Sequence, residues 1–229
     1  HNLHQGEIAS SNVCYNGLNR PFYKLSPIDS RSLIENKLNI PLPEGYILHI
    51  GGNQYYKNRK GVIEIYDSFR SSYNKKIPVI LIGEQPSNEL IELRKKSKFK
   101  DDIHFITNLA DDFINDAYSG AICLLFPSLD EGFGWPIIEA MASGCPVITT
   151  NRAPMNEIGG DAAYYINKMP NDNIHLNKWK VDSGNTLEEV ISFNVFQRNE
   201  VIEKSINQSQ KFTAEYCLNA IEAIYKEIN

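Results

Sequence analysis

Two glutamates and a lysine have the types and spacing to do chemistry in this chain of 229 residues. Glu131 and Glu139 lie in the stretch Ser128-Leu129-Asp130-Glu131-Gly132-Phe133-Gly134-Trp135-Pro136-Ile137-Ile138-Glu139-Ala140-Met141-Ala142-Ser143-Gly144. The apolar run Ala121-Ile122-Cys123-Leu124-Leu125-Phe126 precedes it and Cys145-Pro146-Val147-Ile148-Thr149-Thr150 follows, so the pattern is strand, turn, helix, strand. Pro136 suits the first helical turn, where its missing N–H has no partner to lose. Gly144 suits the position just past the helix end. Without a Cβ, Gly132 and Gly134 let the backbone approach a ligand closely. The free N–H groups and positive dipole end of the helix favour an anion, typically phosphate. Glu139, about one turn into the helix, can accept two hydrogen bonds from a vicinal diol, as acidic residues do for ribose. N–H groups for phosphate and carboxylates for hydroxyls outline a nucleotide-sugar site. A plain tight strand–helix connection, with glutamates that favour the dipole, is the alternative reading of the same residues.

The elements that must position these groups alternate along the chain. Strands are expected at 46–50, 78–83, 103–106, 121–128, 146–150 and 162–166. Helices are expected from Pro27 to Leu38, with Leu33, Ile34 and Leu38 on one stripe, from Lys57-Asn58 onward with Asn58 as N-cap, from Asn88 to Lys98, and from about Asp112 to Tyr118. After Ile166 the chain is rich in asparagine and lysine, and 188–192, 195–209 and 213–228 carry the helical period. Strands alternating with helices imply βαβ units. The expected fold is α/β, a Rossmann-like, doubly wound and mostly parallel sheet of about six strands with C-terminal helices. In such sheets the ligand crevice lies at the carboxyl ends of the strands. Gly51-Gly52, Gly83-Glu84, Thr107-Asn108 and Asp130–Gly134 all fall there.

Pro127-Ser128, Glu131-Gly132-Phe133-Gly134, Pro136, Glu139-Ala140-Met141-Ala142 and Gly144-Cys145-Pro146-Val147 resemble the signature of family 4 glycosyltransferases of the GT-B fold, whose hallmark is two glutamates with seven residues between them. The resemblance implies the C-terminal, donor-binding half of a GT-B architecture. Residues 1–25 are then a hinge or linker, 26–229 the nucleotide-sugar-binding domain, and an N-terminal acceptor-binding domain belongs to the same longer protein. It implies transfer of a hexosyl unit from a UDP- or GDP-sugar to a hydroxyl of a glycan or lipid-linked glycan, with retention of configuration, no cofactor and no essential metal. Lys57, six residues after Gly51, resembles the family's phosphate-binding lysine. Glu131 resembles the glutamate that contacts the transferred sugar, and Glu139 the one that holds ribose. Phe133, Gly134 and Trp135 would give backbone N–H groups to the donor, although Trp135 reads equally as packing. Asn108 and Leu109 lie where the base is held. The arginine that often accompanies the lysine is replaced by Gly52 and Tyr56, leaving Arg59 or Lys60 as its substitute. Lys57 and Glu131 are the expected catalytic pair. Glu139 is expected to face an open crevice. A GT-B epimerase or phosphorylase, or a non-catalytic nucleotide-sugar-binding module, are the alternatives.

Composition is that of an ordinary globular protein, 42 % apolar and 22 % charged, with net charge −5. That charge gives no general attraction to nucleic acid. Cys14, Cys123, Cys145 and Cys217 are widely spaced, which suits free thiols in a reducing compartment. No run reaches the roughly 18 apolar residues of a membrane span. The expected location is cytoplasmic, with the full-length form peripheral at the inner face of the membrane. The five histidines show no metal-ligand spacing, and Ser128 lacks the G-x-S-x-G setting of a hydrolase nucleophile.

Overall fold

The structure is a computed structural model that describes residues 14–18 and 20–228. Six parallel strands form one sheet: β1 (Ile47–Ile50), β2 (Val79–Ile82), β3 (Ile103–Ile106), β4 (Cys123–Phe126), β5 (Val147–Thr150) and β6 (Ala163–Ile166). Their order is β3-β2-β1-β4-β5-β6. The chain therefore winds outward from β1 in one direction and then returns to β4 to wind in the other. That switch point, between β1 and β4, is where crevices open in such sheets. The register pairs Ile47 with both Val79 and Cys123. The inner strands β2, β4 and β5 are buried at all four positions, whereas the edge strands β3 and β6 are only partly covered. Near-continuous apolar runs are what a sheet covered on both faces requires.

Helices α1 (Pro27–Leu38), α4 (Ile114–Gly120), α5 (Trp135–Ala142) and α6 (Met155–Gly159) cover one face, and α2 (Arg59–Ser72), α3 (Asn88–Lys96) and α7 (Asn173–Ile191) the other. Successive strand residues point to opposite faces. Leu48, Ile80, Leu124 and Val147 thus enter the first core, and Ile47, Val79, Cys123 and Ile148 the second. Helices α8 (Val195–Ser209) and α9 (Ala214–Ile228) follow. The Asn194–Gln197 capping box starts α8.

The helix and strand expectations hold with three corrections. Leu33 is 43 % exposed while Ile34 is buried, because the apolar side of α1 packs through Ile34 and Leu38 against α4. Lys57 does not begin α2; it ends a 3-10 turn, Tyr55–Lys57, and Asn58 (φ +51°) caps the helix that starts at Arg59. Most of α7 was illegible: its polar exposed side masks a buried seam of Trp179, Ser183, Leu187 and Val190. The hinge expected over 1–25 lies largely outside the described residues. Its described part is tied to the domain, Leu18 N donating to Phe212 O at 2.8 Å. All four cysteines are unpaired. Among the described residues no helix is long and apolar enough to cross a membrane.

Candidate functional site

The exits of β1 and β4 are stapled together, and the staples place Lys57. Asn58 Oδ1 accepts from Gly61 N at 3.0 Å, which caps α2, while its Nδ2 donates across the switch point to Pro127 O at 2.9 Å. Leu129 N donates to Tyr56 O at 2.7 Å. Close approach of β1 and β2 is enforced at Gly83 (φ +150°), where a Cβ would stand 2.1 Å from Gly51 O. On this frame Lys57 Nζ donates to both oxygens of Glu131, each at 2.9 Å. The side chains are 16 % and 6 % exposed, and Nζ lies 5.4 Å from the ring centres of Tyr56 and Phe126. Residues 74 positions apart are thus one charge pair, expelled from most of the water that would weaken it.

Beside the pair, α5 begins without a side-chain cap. Gly134 is its N-cap at φ +109°, a left-handed conformation that glycine adopts without strain. Pro136 occupies the first turn, and Ile137 N already bonds to Gly134 O at 2.9 Å. A Cβ on Gly132 would meet nothing within 4 Å, so the backbone there faces open space. The phenyl ring of Phe133 is packed, 4.9 Å from Trp135 and 6.1 Å from Phe212 in edge-to-face contacts. Trp135 and Phe133 therefore anchor the turn with their rings and leave only backbone to an incoming anion.

Glu139 is in the first core's margin, and here the sequence expectation fails. Instead of facing an open crevice, its Oε2 accepts from the fully buried Tyr118 hydroxyl at 2.8 Å. Burial holds the Glu139 carboxyl above its usual range, a rise opposed by the Tyr118 hydrogen bond and by Arg20 and Lys57. The long apolar side of α4 carries Tyr118 to this point, which the spacing of the motif alone does not disclose.

The family described as "Glycosyl transferases group 1" matches this chain over residues 30–174. The chain belongs to the group 1 glycosyl transferases. Among curated relatives, it is 31 % identical to the Escherichia coli O-antigen chain mannosyltransferase B over 56 % of this chain and 34 % of the relative. It is 33 % identical to the Salmonella typhimurium O-antigen chain mannosyltransferase RfbU over 54 % and 35 %. This chain thus spans about a third of the length of these relatives. In fold it is similar to Anabaena Alr3699/HepE in complex with UDP and glucose, with a TM-score of 0.76 at 18 % identity, covering 94 % of this chain and 57 % of that one. Similarity also extends to WaaG, a glycosyltransferase involved in lipopolysaccharide biosynthesis, with a TM-score of 0.71 at 18 % identity, covering 92 % and 55 %. The sheet of this glycosyl transferase is therefore that of a Rossmann-like GT-B domain.

The remaining expected residues of the glycosyl transferase are placed as follows. Gly51 lies over the Lys57 stem, and Gly52 is turned toward Gln54 and Glu84. Asn108 follows β3 in a left-handed conformation (φ +58°), and Leu109 packs on the core that also receives Trp135. Lys60 pairs with Glu89 at 3.4 Å on the surface. Arg59 is only 3 % exposed; its Nη1 donates to Asn53 Oδ1 at 2.7 Å and Glu84 O at 2.9 Å, and its guanidinium lies 5.2 Å from the Phe105 ring. Neither cation is brought into contact with the Lys57–Glu131 pair.

Sequence reasoning missed His49. It lies fully buried in β1, its Nδ1 3.0 Å from Leu125 O. A carbonyl only accepts, so Nδ1 carries the proton and Nε2 is bare; no described residue hydrogen-bonds it. Burial pushes the His49 pKa down to about 3, with Arg59 and Lys57 adding to the fall and the bond to Leu125 opposing it. A lone histidine inside an apolar strand that ends on two glycines was the available signal. Ser128, weighed as a nucleophile, is fully buried. Among the described residues no group of three His, Cys, Asp or Glu is arranged to hold a metal ion.

Proposed function

We propose that this chain is the donor-binding half of a retaining glycosyltransferase that moves a hexosyl unit from a nucleotide diphosphosugar to a glycan hydroxyl. The observation that carries the reading is the Lys57–Glu131 ion pair beside an uncapped helix start, with Glu139 one turn in. In the proposed mechanism the diphosphate takes the Lys57 ammonium and the N–H groups at 133–135, and Glu131 is released toward the sugar. As the glycosidic bond breaks, negative charge grows on the β-phosphate. Lys57 then stabilises the transition state more than it does the intact donor. Glu139, moved off Tyr118 or shared with it, would accept from the ribose diol. Among the described residues no carboxylate stands alone as a covalent nucleophile, so a front-face displacement assisted by the leaving phosphate accounts best for retention.

The names of the relatives, mannosyltransferases of O-antigen chains, favour mannose as the hexose and a polysaccharide as the acceptor. A companion acceptor-binding domain and a cytoplasmic location, at the inner face of the membrane, complete the proposal. Calorimetry of UDP and GDP against the chain, with and without EDTA, tests it. Binding that survives chelation is expected. Loss of all nucleotide affinity, or affinity that disappears with the metal, would overturn it.

A further inference from the structure

On the far side of the switch point from α5, two cavities of about 270 Å³ and 640 Å³ adjoin. They share a wall of Tyr55, Leu129, Met169, Pro170 and Asn171, contributed by the turn after β1, the exit of β4 and the loop between β6 and α7. Clefts of this size bind small ligands rather than whole proteins. The inner end of the groove is lined by Tyr56 and Asp130, the chain neighbours of Lys57 and Glu131. The bond from Leu129 N to Tyr56 O fixes that end to the reacting pair.

The lining decides what would bind. Tyr55 is 80 % and Tyr56 40 % exposed, so two aromatic faces are presented to solvent in a short turn. The hydroxyls of both tyrosines and the side-chain amides of Asn171 and Asn173 hydrogen-bond to no other described residue. Leu129 and Met169 supply the apolar floor. An apolar and aromatic surface edged by unengaged amides and hydroxyls suits a ligand with C–H faces and many hydroxyls. Charge is balanced along the groove: Lys60 is matched by Glu89, Lys168 faces the same cavity as Asp130, and Arg59 is bonded through Nη1 to Asn53 and Glu84, while its Nε and Nη2, without a partner among the described residues, are buried out of a groove ligand's reach. A polyanion would gain little there.

We infer that this groove takes the distal, neutral sugars of the acceptor chain, beyond those held by the companion acceptor-binding domain, and leads them away from the transfer point. The inference rests on the reading of the Lys57–Glu131 site as a sugar-transferring one. It assigns a role to Tyr55, Tyr56 and Asn171, which no nucleotide contact requires.

The test is an amide-resolved NMR titration of the 15N-labelled chain with α-linked mannotetraose, maltotetraose and inorganic diphosphate, with UDP and GDP titrated on the same sample. Either tetrasaccharide should shift the amides of Tyr55, Tyr56 and Asn171. Tyr55→Ala and Asn171→Ala, both at exposed positions, should each weaken that binding about five-fold and leave nucleotide affinity within about two-fold. Nucleotide binding without any shift from either tetrasaccharide would overturn this inference alone. Shifts at these amides from diphosphate but not from sugar would make the groove an anion site and overturn it too. If neither nucleotide binds, the donor-site reading falls and takes the acceptor role with it.

Discussion

At the exit of β4, Glu131 is held on both oxygens by the Lys57 ammonium; one turn into α5, Glu139 is held on one oxygen by a neutral tyrosine hydroxyl. The two carboxylates belong to one short motif, yet their surroundings ask different things of a ligand. Glu131 is occupied on both oxygens, so in the proposed mechanism a diphosphate displaces it from Lys57, and that displacement itself presents a free carboxylate to the sugar. Glu139 is partly desolvated and its pKa is raised, so hydroxyl donors from a ribose would complete a shell that Tyr118 only begins. In the proposed mechanism phosphate is met by an exchange of ion partners, and the diol by filling of a vacancy in hydrogen bonding.

The contrast breaks most visibly if the ion pair is cut. Lys57→Ala leaves Glu131, 6 % exposed, without its counter-charge, and a half-buried pair lost from one side costs about 3 kcal/mol or more. Urea unfolding should show this loss, and Lys57→Met with Glu131→Leu should recover most of it. A single mutant as stable as the wild type would mean that water already screens the pair.

Removing Glu139 should cost less. Glu139→Ala orphans the buried Tyr118 hydroxyl, for roughly 1–3 kcal/mol. Adding Tyr118→Phe should return part of that, and nucleotide affinity should still fall about 10- to 150-fold with the lost ribose acceptor. Unchanged stability would show that the 2.8 Å contact carries no weight.

The smallest effect is one of pH. Folded His49 titrates near 3 against 6.5 for an unperturbed imidazole. Between those values the unfolded chain binds a proton that the folded chain refuses, so stability falls as pH falls from 6.5 toward 3. In a series of urea midpoints, His49→Leu should flatten that slope by one proton. Identical slopes would place the acid sensitivity elsewhere.

Much of the fold was legible because the inner strands must be covered on both faces, and their apolar runs say so in any context. The strand–turn–helix motif was equally plain, since Gly134 and Pro136 obey local backbone rules. What escaped depended on distant partners. The Lys57–Glu131 pair joins turns 74 positions apart, and Tyr118 reaches Glu139 only through the packing of α4 on α5. The arginine question was likewise tertiary: Arg59 and Lys60 are neighbours in sequence, but one is buried against Phe105 and the other paired at the surface with Glu89. Most of α7 was hidden by its polar side, because only a narrow seam of it meets α2.

The central claim is that diphosphate takes Lys57 from Glu131, and nucleotide titration of two mutants tests it most directly. Measured by calorimetry with the same UDP or GDP, Lys57→Ala should weaken binding by about tenfold or more, the loss of a charge-assisted contact. Glu131→Ala removes the competitor and leaves the ammonium free, so affinity should stay within about threefold of the wild type or become tighter. A fall in Glu131→Ala as large as that in Lys57→Ala would contradict the account, because Glu131 would then be holding the phosphate loop in shape rather than yielding its lysine to the ligand.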